Sequence, residues 1–198
     1  NLLTARVDTR RVLDYGCGSG SFLAALSAIP DLELVGYEPY MLERSHAHLP
    51  IYSSLSEVKR FAPFDVITVL ETVEHLSETE LSDLLQQARA LLHPAGALLF
   101  SAPIEIGPAL LLKIFNRARR QGRFPAIPIR QVLAASFLGI PTDRAINIKT
   151  SHQGFDFRKT IRFLNHHFGH VRVAGYGPLP IGTWYGNSQV YFWLKRTA

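Results

Sequence analysis

The sequence of 198 residues contains one cysteine, one methionine and no long uninterrupted apolar run. A single cysteine excludes an internal disulfide framework and any zinc site built from several thiolates. The most apolar stretch, residues 96–115, is interrupted by Pro103, Glu105 and Pro108, so it is a poor candidate for a membrane-spanning helix. We find no signal peptide, transit sequence, internal repeat or low-complexity segment, and we expect a single cytoplasmic domain over residues 1–198.

Acidic residues are the scarcer charge, with 16 Asp and Glu against 21 Lys and Arg and a formal net charge of +5. An excess of basic charge attracts nucleic acids, anionic membranes and acidic metabolites alike. Four arginines fall within seven residues beside an apolar stretch, at Arg117, Arg119, Arg120 and Arg123. A solvated helix end explains this arginine cluster as well as a binding surface does.

The densest pattern is a glycine-rich stretch, residues 11–20, with the sequence RVLDYGCGSG. It predicts a short buried strand, a sharp turn and a helix that begins near Ser21. Glycines at Gly16, Gly18 and Gly20 leave no Cβ between the backbone and a ligand, and Cys17 supplies a small side chain among them. The following helix directs its free N–H groups at whatever binds there. We therefore predict a loop that holds the polar part of a nucleotide-like cofactor.

Two carboxylates narrow the choice of cofactor. Asp14 lies two residues before the first glycine. A carboxylate there is a poor neighbour for a pyrophosphate, but it suits the ammonium of an amino acid or a water bound to that ammonium. Glu38 ends a second predicted strand, residues 32–37, and in a doubly wound fold such an acid accepts hydrogen bonds from ribose hydroxyls. A cofactor with an amino-acid end and a ribose end is S-adenosylmethionine.

The D-x-G-x-G-x-G motif of this loop resembles that of the class I S-adenosylmethionine-dependent methyltransferases. The resemblance implies an α/β, Rossmann-like, doubly wound seven-stranded sheet whose last strand is antiparallel. It also implies that residues after Glu38, here Pro39 and Met41, contact the adenine, although Met41 suits the core equally well. A polar residue after the third strand, Ser53 or Ser54, is expected to bind the adenine amino group.

Apolar spacing predicts the other elements of this fold. We expect strands at 51–55, 64–70, 97–103, 170–176 and 189–196, and helices at 21–28, 78–92, 108–120, 130–138 and 154–168. The last two strands match the antiparallel hairpin that separates methyltransferases from dehydrogenases. Residues 104–150 are irregular, and in this fold the corresponding segment commonly forms a lid over the substrate. A membrane contact and a dimer interface are the alternatives for this segment.

Three candidate functional residues, Glu71, Glu74 and His75, follow the predicted strand 64–70. If the chain turns helical there, their i, i+3, i+4 spacing places them on one face. Two carboxylates and an imidazole then make an oxygen-rich site that favours magnesium or manganese. Such a cation would bind the acceptor oxygen and lower its pKa.

The E-x-x-E-H arrangement resembles two metal-dependent groups, the ubiquinone-pathway O-methyltransferases and the small-RNA 3′-terminal 2′-O-methyltransferases. Both groups add a histidine from a later segment, which implies Glu71, Glu74, His75 and His152 as metal ligands here. Many metal-free relatives also carry the Glu–His pair. In that case Glu74 and His75 would act as acid and base or shape the pocket, and Leu70 and Glu71 would contact the cofactor.

The leading hypothesis is O-methylation of a small or lipid-like acceptor, with contact to a membrane surface as one role of the lid. Methylation of an RNA 2′-hydroxyl is the alternative, although the arginine cluster lacks interleaved exposed aromatics and no RNA-binding module is evident. A non-catalytic methyltransferase-like binding module is the third hypothesis, and the intact loop and Glu38 argue against it. The sequence leaves the acceptor and the oligomeric state open.

Overall fold

The computed structural model describes residues 10–40 and 48–195, and seven strands lie in this part of the chain. They are β1 (Arg11–Tyr15), β2 (Glu33–Tyr37), β3 (Ile51–Tyr52), β4 (Phe64–Val69), β5 (Leu92–Pro103), β6 (Val171–Gly177) and β7 (Gln189–Lys195). The α-helices are α1 (Ser21–Leu26), α2 (Leu55–Val58), α3 (Glu78–Leu91), α4 (Ala109–Gln121), α5 (Ile129–Leu133) and α6 (Phe157–Phe168). Two 3₁₀ turns, Lys59–Phe61 and Val73–His75, and a π turn, Ala134–Leu138, complete the described elements.

All seven strands form one sheet in the order β3-β2-β1-β4-β5-β7-β6. Strands β1 to β5 pair in parallel, whereas β7 runs antiparallel to both β5 and β6. This confirms the predicted α/β, doubly wound sheet with an antiparallel last strand. The strand order reverses between β1 and β4, and in open α/β sheets ligands bind in the crevice beyond the carboxyl ends of strands at that reversal.

The core lies on both faces of the central strands. Val12 and Leu13 of β1 are fully buried although they point to opposite faces, as expected of a parallel strand covered on both sides. Helix α3 covers one face with residues at helical spacing, Leu81, Leu84, Leu85, Ala88 and Leu91. Its first turn is closed by a capping box in which Ser77 and Glu80 exchange side-chain-to-backbone hydrogen bonds.

Several predicted boundaries differ from the structure. The strand predicted at 97–103 is longer, because β5 begins at Leu92, which pairs with Phe64 before a bulge shifts the register. The predicted strand at 51–55 is only two residues long, because Ser54 begins helix α2 as its N-cap. The predicted helix at 130–138 divides into α5 and the π turn.

The 104–150 segment is tied to the sheet through the loop between β6 and β7. Gly107 and Gly139 both take positive φ angles, and a Cβ on either would lie 3.1 Å from the ring of Trp184. The Gly107 N–H donates to the Ala135 carbonyl at 2.8 Å, which joins the start of the segment to the π turn. Within residues 10–40 and 48–195, no helix has the length and apolar character needed to cross a membrane.

Candidate functional site

The glycine-rich turn connects the carboxyl ends of β1 and β2. The backbone N–H groups of Gly16 and Cys17 both donate to the Tyr37 carbonyl, at 2.8 and 3.1 Å. Gly16 has a φ of +77°, and a Cβ there would lie 2.8 Å from the Thr72 hydroxyl oxygen. Glycine is therefore required at position 16 by both conformation and space. Gly18 and Gly20 also have positive φ, of +53° and +87°.

Glu38 fastens the turn from the end of β2. Its Oε2 accepts from the Gly18 N–H and its Oε1 accepts from the Tyr40 N–H, both at 3.0 Å. Each carboxylate oxygen has two lone-pair sites, so each can accept one further hydrogen bond. Glu38 therefore keeps the capacity to accept from two neighbouring ligand hydroxyls.

A cavity of about 670 Å³ opens at the reversal of strand order. Among the predicted residues, its lining includes Gly16, Glu38, Pro39, Glu71 and His75. Prediction from sequence missed other lining residues, which include Tyr15, Tyr40, Thr72, Gln87 and Lys149. The volume lies within the range of small-molecule sites, and the lining combines tyrosine and leucine side chains with many charged and polar groups.

Asp14 and Cys17 do not line the cavity. The Thr68 hydroxyl donates to Asp14 Oδ1 at 2.7 Å, and burial raises the pKa of this carboxyl to about 6. Burial likewise raises the pKa of the Cys17 thiol to about 12, so the thiol is neutral and a poor nucleophile. Gly36 accommodates the cysteine, because a Cβ at Gly36 would lie 2.8 Å from the sulfur.

The two serines that were expected to bind the adenine amino group, Ser53 and Ser54, do not line the cavity. Ser54 Oγ accepts from the Ser56 N–H and caps α2, while Ser53 is exposed and lies outside the cavity lining. The Leu70 carbonyl accepts from the Thr72 hydroxyl at 2.9 Å. Met41 falls outside the described residues. Pro39 therefore remains, with Tyr40, as the described candidate for contact with a base.

The chain does not turn helical after β4. Glu71 has a φ of +49°, and the backbone then enters the short 3₁₀ turn Val73–His75. This turns the Glu71 side chain toward β5, where its Oε1 accepts from the Ser101 hydroxyl at 2.9 Å. The expected single helical face is wrong, because a left-handed residue at the end of the strand interrupts it.

Glu74, His75 and His152 nevertheless come together. The two Nε2 atoms of the histidines lie 3.1 Å apart. Glu74 Oε1 lies 3.6 Å from His152 Nε2 and 4.0 Å from His75 Nε2. One ligand atom from each residue fits within 4.8 Å of the others. Three of the four predicted metal ligands thus converge, and Glu71 is not part of this group.

The protonation of this cluster follows from its neighbours. His75 Nδ1 lies 2.8 Å from the Ile148 carbonyl, which can only accept, so Nδ1 carries the proton and Nε2 of the neutral ring offers a lone pair. Glu74 is fully buried, and neither of its carboxylate oxygens has a hydrogen-bond partner among the described residues. Burial raises the pKa of Glu74 to about 8 and lowers the pKa of His152.

Arg144, which the sequence patterns did not single out, holds the two halves of the cluster together. Its guanidinium donates to the Glu74 carbonyl and to the carbonyls of Ser151 and Gln153, on either side of His152. It also lies 5.5 Å from the centroid of the Phe155 ring. Arg144 and Glu74 are 70 positions apart, so no local pattern could have indicated this contact.

Comparison with known proteins identifies the family to which this fold belongs. A family profile described as "Methyltransferase domain" matches residues 1–128. A search of curated proteins found no match. Similar solved structures include an S-adenosylmethionine-dependent methyltransferase from Archaeoglobus fulgidus, with 16% identity over 95% of this chain and 86% of that one and a TM-score of 0.56.

Two further structures are similar in fold. The methyltransferase domain of bacterial CtHen1-CN has 19% identity, covers 98% of this chain and 93% of its own, and has a TM-score of 0.62. An O-methyltransferase family protein from Burkholderia thailandensis has 15% identity over 97% of this chain and 52% of its own, with a TM-score of 0.57. Identities this low support the fold and leave the acceptor to be argued from the site.

Proposed function

We propose that this chain, which belongs to the S-adenosylmethionine-dependent methyltransferases, methylates a hydroxyl oxygen of a small acceptor with the help of a divalent cation. The observation that carries the proposal is the Glu74, His75 and His152 cluster beside the cavity that Gly16 and Glu38 line. A neutral hydroxyl is a weak nucleophile, so its methylation needs a group that favours loss of its proton.

The cavity fits S-adenosylmethionine at its ribose end. Glu38 keeps acceptor capacity on both oxygens, as a ribose diol requires, and Gly16 lets the backbone approach the ligand closely. Pro39 and Tyr40 follow Glu38 at the cavity wall and are the described candidates to contact the adenine. When bound, the cofactor supplies an activated methyl group on a sulfonium. The chain would hold that group in line with the acceptor oxygen.

The three-residue cluster fits a divalent cation. Glu74 presents two buried carboxylate oxygens that no described residue satisfies, and His75 is fixed in the tautomer that leaves Nε2 free to bind. A buried carboxyl with no partner costs free energy, which a bound cation would recover. Two imidazoles with one carboxylate suit manganese better than magnesium, which prefers oxygen ligands. When bound, such a cation stabilises negative charge on a nearby oxygen.

Without a cation, the same geometry supports a metal-free role for the pair Glu74 and His75. His152 Nε2–H would then donate to His75 Nε2, and Glu74 would be largely protonated at neutral pH. Release of His152 from this contact would let His75 accept the acceptor's proton. This is the second candidate mechanism, and it needs no change in the cofactor site.

The cofactor proposal is tested by calorimetric titration of S-adenosylhomocysteine into the wild-type chain and a Glu38→Ala variant. We expect stoichiometric binding that weakens at least about tenfold in the variant, because a charged hydrogen-bond acceptor is lost. Glu57→Ala, on the surface helix α2, is the matched control and should bind like wild type. Equal affinity of Glu38→Ala and wild type would overturn the placement of the ribose.

We also propose that the exposed face of α4 contacts an anionic lipid bilayer. Leu112 and Phe115 are 63% and 58% exposed, and Arg119 lies one turn beyond Phe115 on the same helix. Apolar side chains flanked by arginines suit the interface of an anionic membrane. Phe115 and Phe124 are also exposed, but they flank the arginine cluster and do not lie between its arginines.

A further inference from the structure

The structure contains a second cavity, of about 300 Å³, which shares Glu71 with the first. His152 lines this second cavity, His75 lines the first, and Glu71 lines both, so the two cavities adjoin at Glu71. Resting on the proposed function, we propose that the second cavity binds the acceptor through an anionic group, a carboxylate or a phosphate. The acceptor hydroxyl would then lie at the Glu71 and His152 end of the cavity, next to the cofactor.

Helix α4 supplies the basic wall of the second cavity. Lys113, Asn116, Arg117 and Arg120 all line it. Their spacing of three, four and seven residues places them on one face of the helix, over two turns. The arginine cluster of the sequence is therefore divided, with Arg117 and Arg120 at the cavity and the exposed Arg119 elsewhere on the helix.

The lysine of this wall, Lys113, already donates hydrogen bonds to acceptors within the protein. Lys113 Nζ donates to Glu105 Oε1 at 2.8 Å, to the Ile104 carbonyl at 2.9 Å and to the Ser188 carbonyl at 3.2 Å. Those three contacts use all three ammonium hydrogens. Glu105 is 3% exposed, so Lys113 serves to balance a buried carboxylate.

The two arginines of this wall, Arg117 and Arg120, do not have their donors occupied in this way. Arg117 Nη2 is 3.8 Å from Glu105 Oε2, which is too long for a hydrogen bond, and Arg117 makes no hydrogen bond within the described part of the chain. Arg120 is exposed and has neither an ion pair nor a hydrogen bond with any described residue. A guanidinium presents paired donors that match a carboxylate or phosphate, so both side chains can bind one.

The charge balance and the size of the cavity agree with an anionic acceptor. Lys113, Arg117 and Arg120 outnumber the carboxylates Glu71 and Glu105 by one, before any cation adds to the positive side. Gln189 Oε1 is buried there with no donor among the described residues, and a ligand N–H or O–H would satisfy it. About 300 Å³ lies at the small end of ligand sites, which suits one ring with two substituents.

The test uses three matched probes that share a phenolic hydroxyl: 3-hydroxybenzoate, 3-hydroxyphenyl phosphate and the neutral 3-hydroxybenzamide. Their affinities are measured by ligand-observed NMR, with and without saturating S-adenosylhomocysteine, on wild type, Arg117→Met, Arg120→Met and the control Arg119→Met. We expect at least one anionic probe to bind about tenfold more tightly than the amide, since its hydrogen bonds are charge-assisted. That preference should fall in Arg117→Met and Arg120→Met and persist in Arg119→Met.

Equal affinity for charged and neutral probes would overturn the proposal, as would a charge preference that survives in both cavity variants. The carboxylate and phosphate probes also identify which anion the site prefers. Arg120→Met removes an exposed side chain without described contacts, so its fold is expected to be intact. Failure to bind S-adenosylhomocysteine would instead contradict the proposed function, and the charge preference measured without that ligand would still be informative.

Discussion

The carboxyl group of Asp14 shows how a single buried residue of the cofactor loop affects stability. Its pKa is raised by burial from 3.8 to about 6, despite the hydrogen bond from Thr68. A raised folded-state pKa means that the folded chain binds the proton more tightly than the unfolded chain. The corresponding stability is fully present below pH 3.8 and is lost as the pH rises through 6.

Asp14→Asn should therefore be more stable than wild type at neutral pH, because it cannot ionise. We expect the difference in free energy of unfolding between variant and wild type to grow between about pH 4 and pH 6, by up to about 3 kcal/mol. Urea denaturation across this pH range measures it, and using the difference removes the contribution of other titrating groups. A difference that does not change with pH would contradict the buried, ionisable placement of Asp14.

Substitutions at Gly16 and Gly122 distinguish the cost of backbone strain from the cost of a steric clash. Both have positive φ, of +77° and +68°, but only Gly16 has an atom within 4 Å of its would-be Cβ. Gly122→Ala should lose about 1 kcal/mol of stability, and Gly16→Ala about 2–3 kcal/mol, since Thr72 must also move. We further expect Gly16→Ala alone to weaken binding of S-adenosylhomocysteine. Thermal unfolding and calorimetry measure both, and equal behaviour of the two variants would refute the close approach at Gly16.

At the scale of elements, sequence periodicity predicted the parallel strands and helix α3 because burial on one or two faces leaves a regular apolar pattern. The glycine loop and Glu38 were predictable for a similar reason, since their spacing is local. The turn at Glu71 was not, because a positive φ in a non-glycine residue has no sequence signature. Glu74 and His152 are 78 positions apart, and their contact depends on the loop that Arg144 holds in place. A contact between such distant positions leaves no local sequence pattern.

Arg144 should therefore affect cation binding only by holding Glu74 and His152 in position. In Arg144→Ala the carbonyls of Glu74, Ser151 and Gln153 lose their common donor, so we expect the affinity for manganese to fall about tenfold. Binding of S-adenosylhomocysteine should not change, which distinguishes this effect from unfolding. Arg130→Ala, an exposed position on α5, is the control. Unchanged manganese binding in Arg144→Ala would show that the loop is held by other contacts.

For the whole molecule, the proposed membrane contact predicts binding to vesicles. Wild type should float with phosphatidylserine–phosphatidylcholine vesicles and not with phosphatidylcholine alone, and salt should weaken the binding. Leu112→Glu and Phe115→Glu should abolish flotation, whereas Val173→Glu, an exposed position on β6, should not. Flotation of all variants alike would contradict a specific α4 contact. A salt-sensitive complex with RNA and no flotation would favour the nucleic-acid alternative.

The central claim is the cation site formed by Glu74, His75 and His152. It is tested most directly by calorimetric titration of manganese into the chain saturated with S-adenosylhomocysteine, with His152→Ala as the test variant and His170→Ala, an exposed histidine, as the control. We predict one equivalent in wild type and in the control, and an affinity at least about 100-fold lower in His152→Ala. Absence of binding, or equal binding in His152→Ala, would contradict the claim and leave His75 as the proton acceptor of a metal-free enzyme.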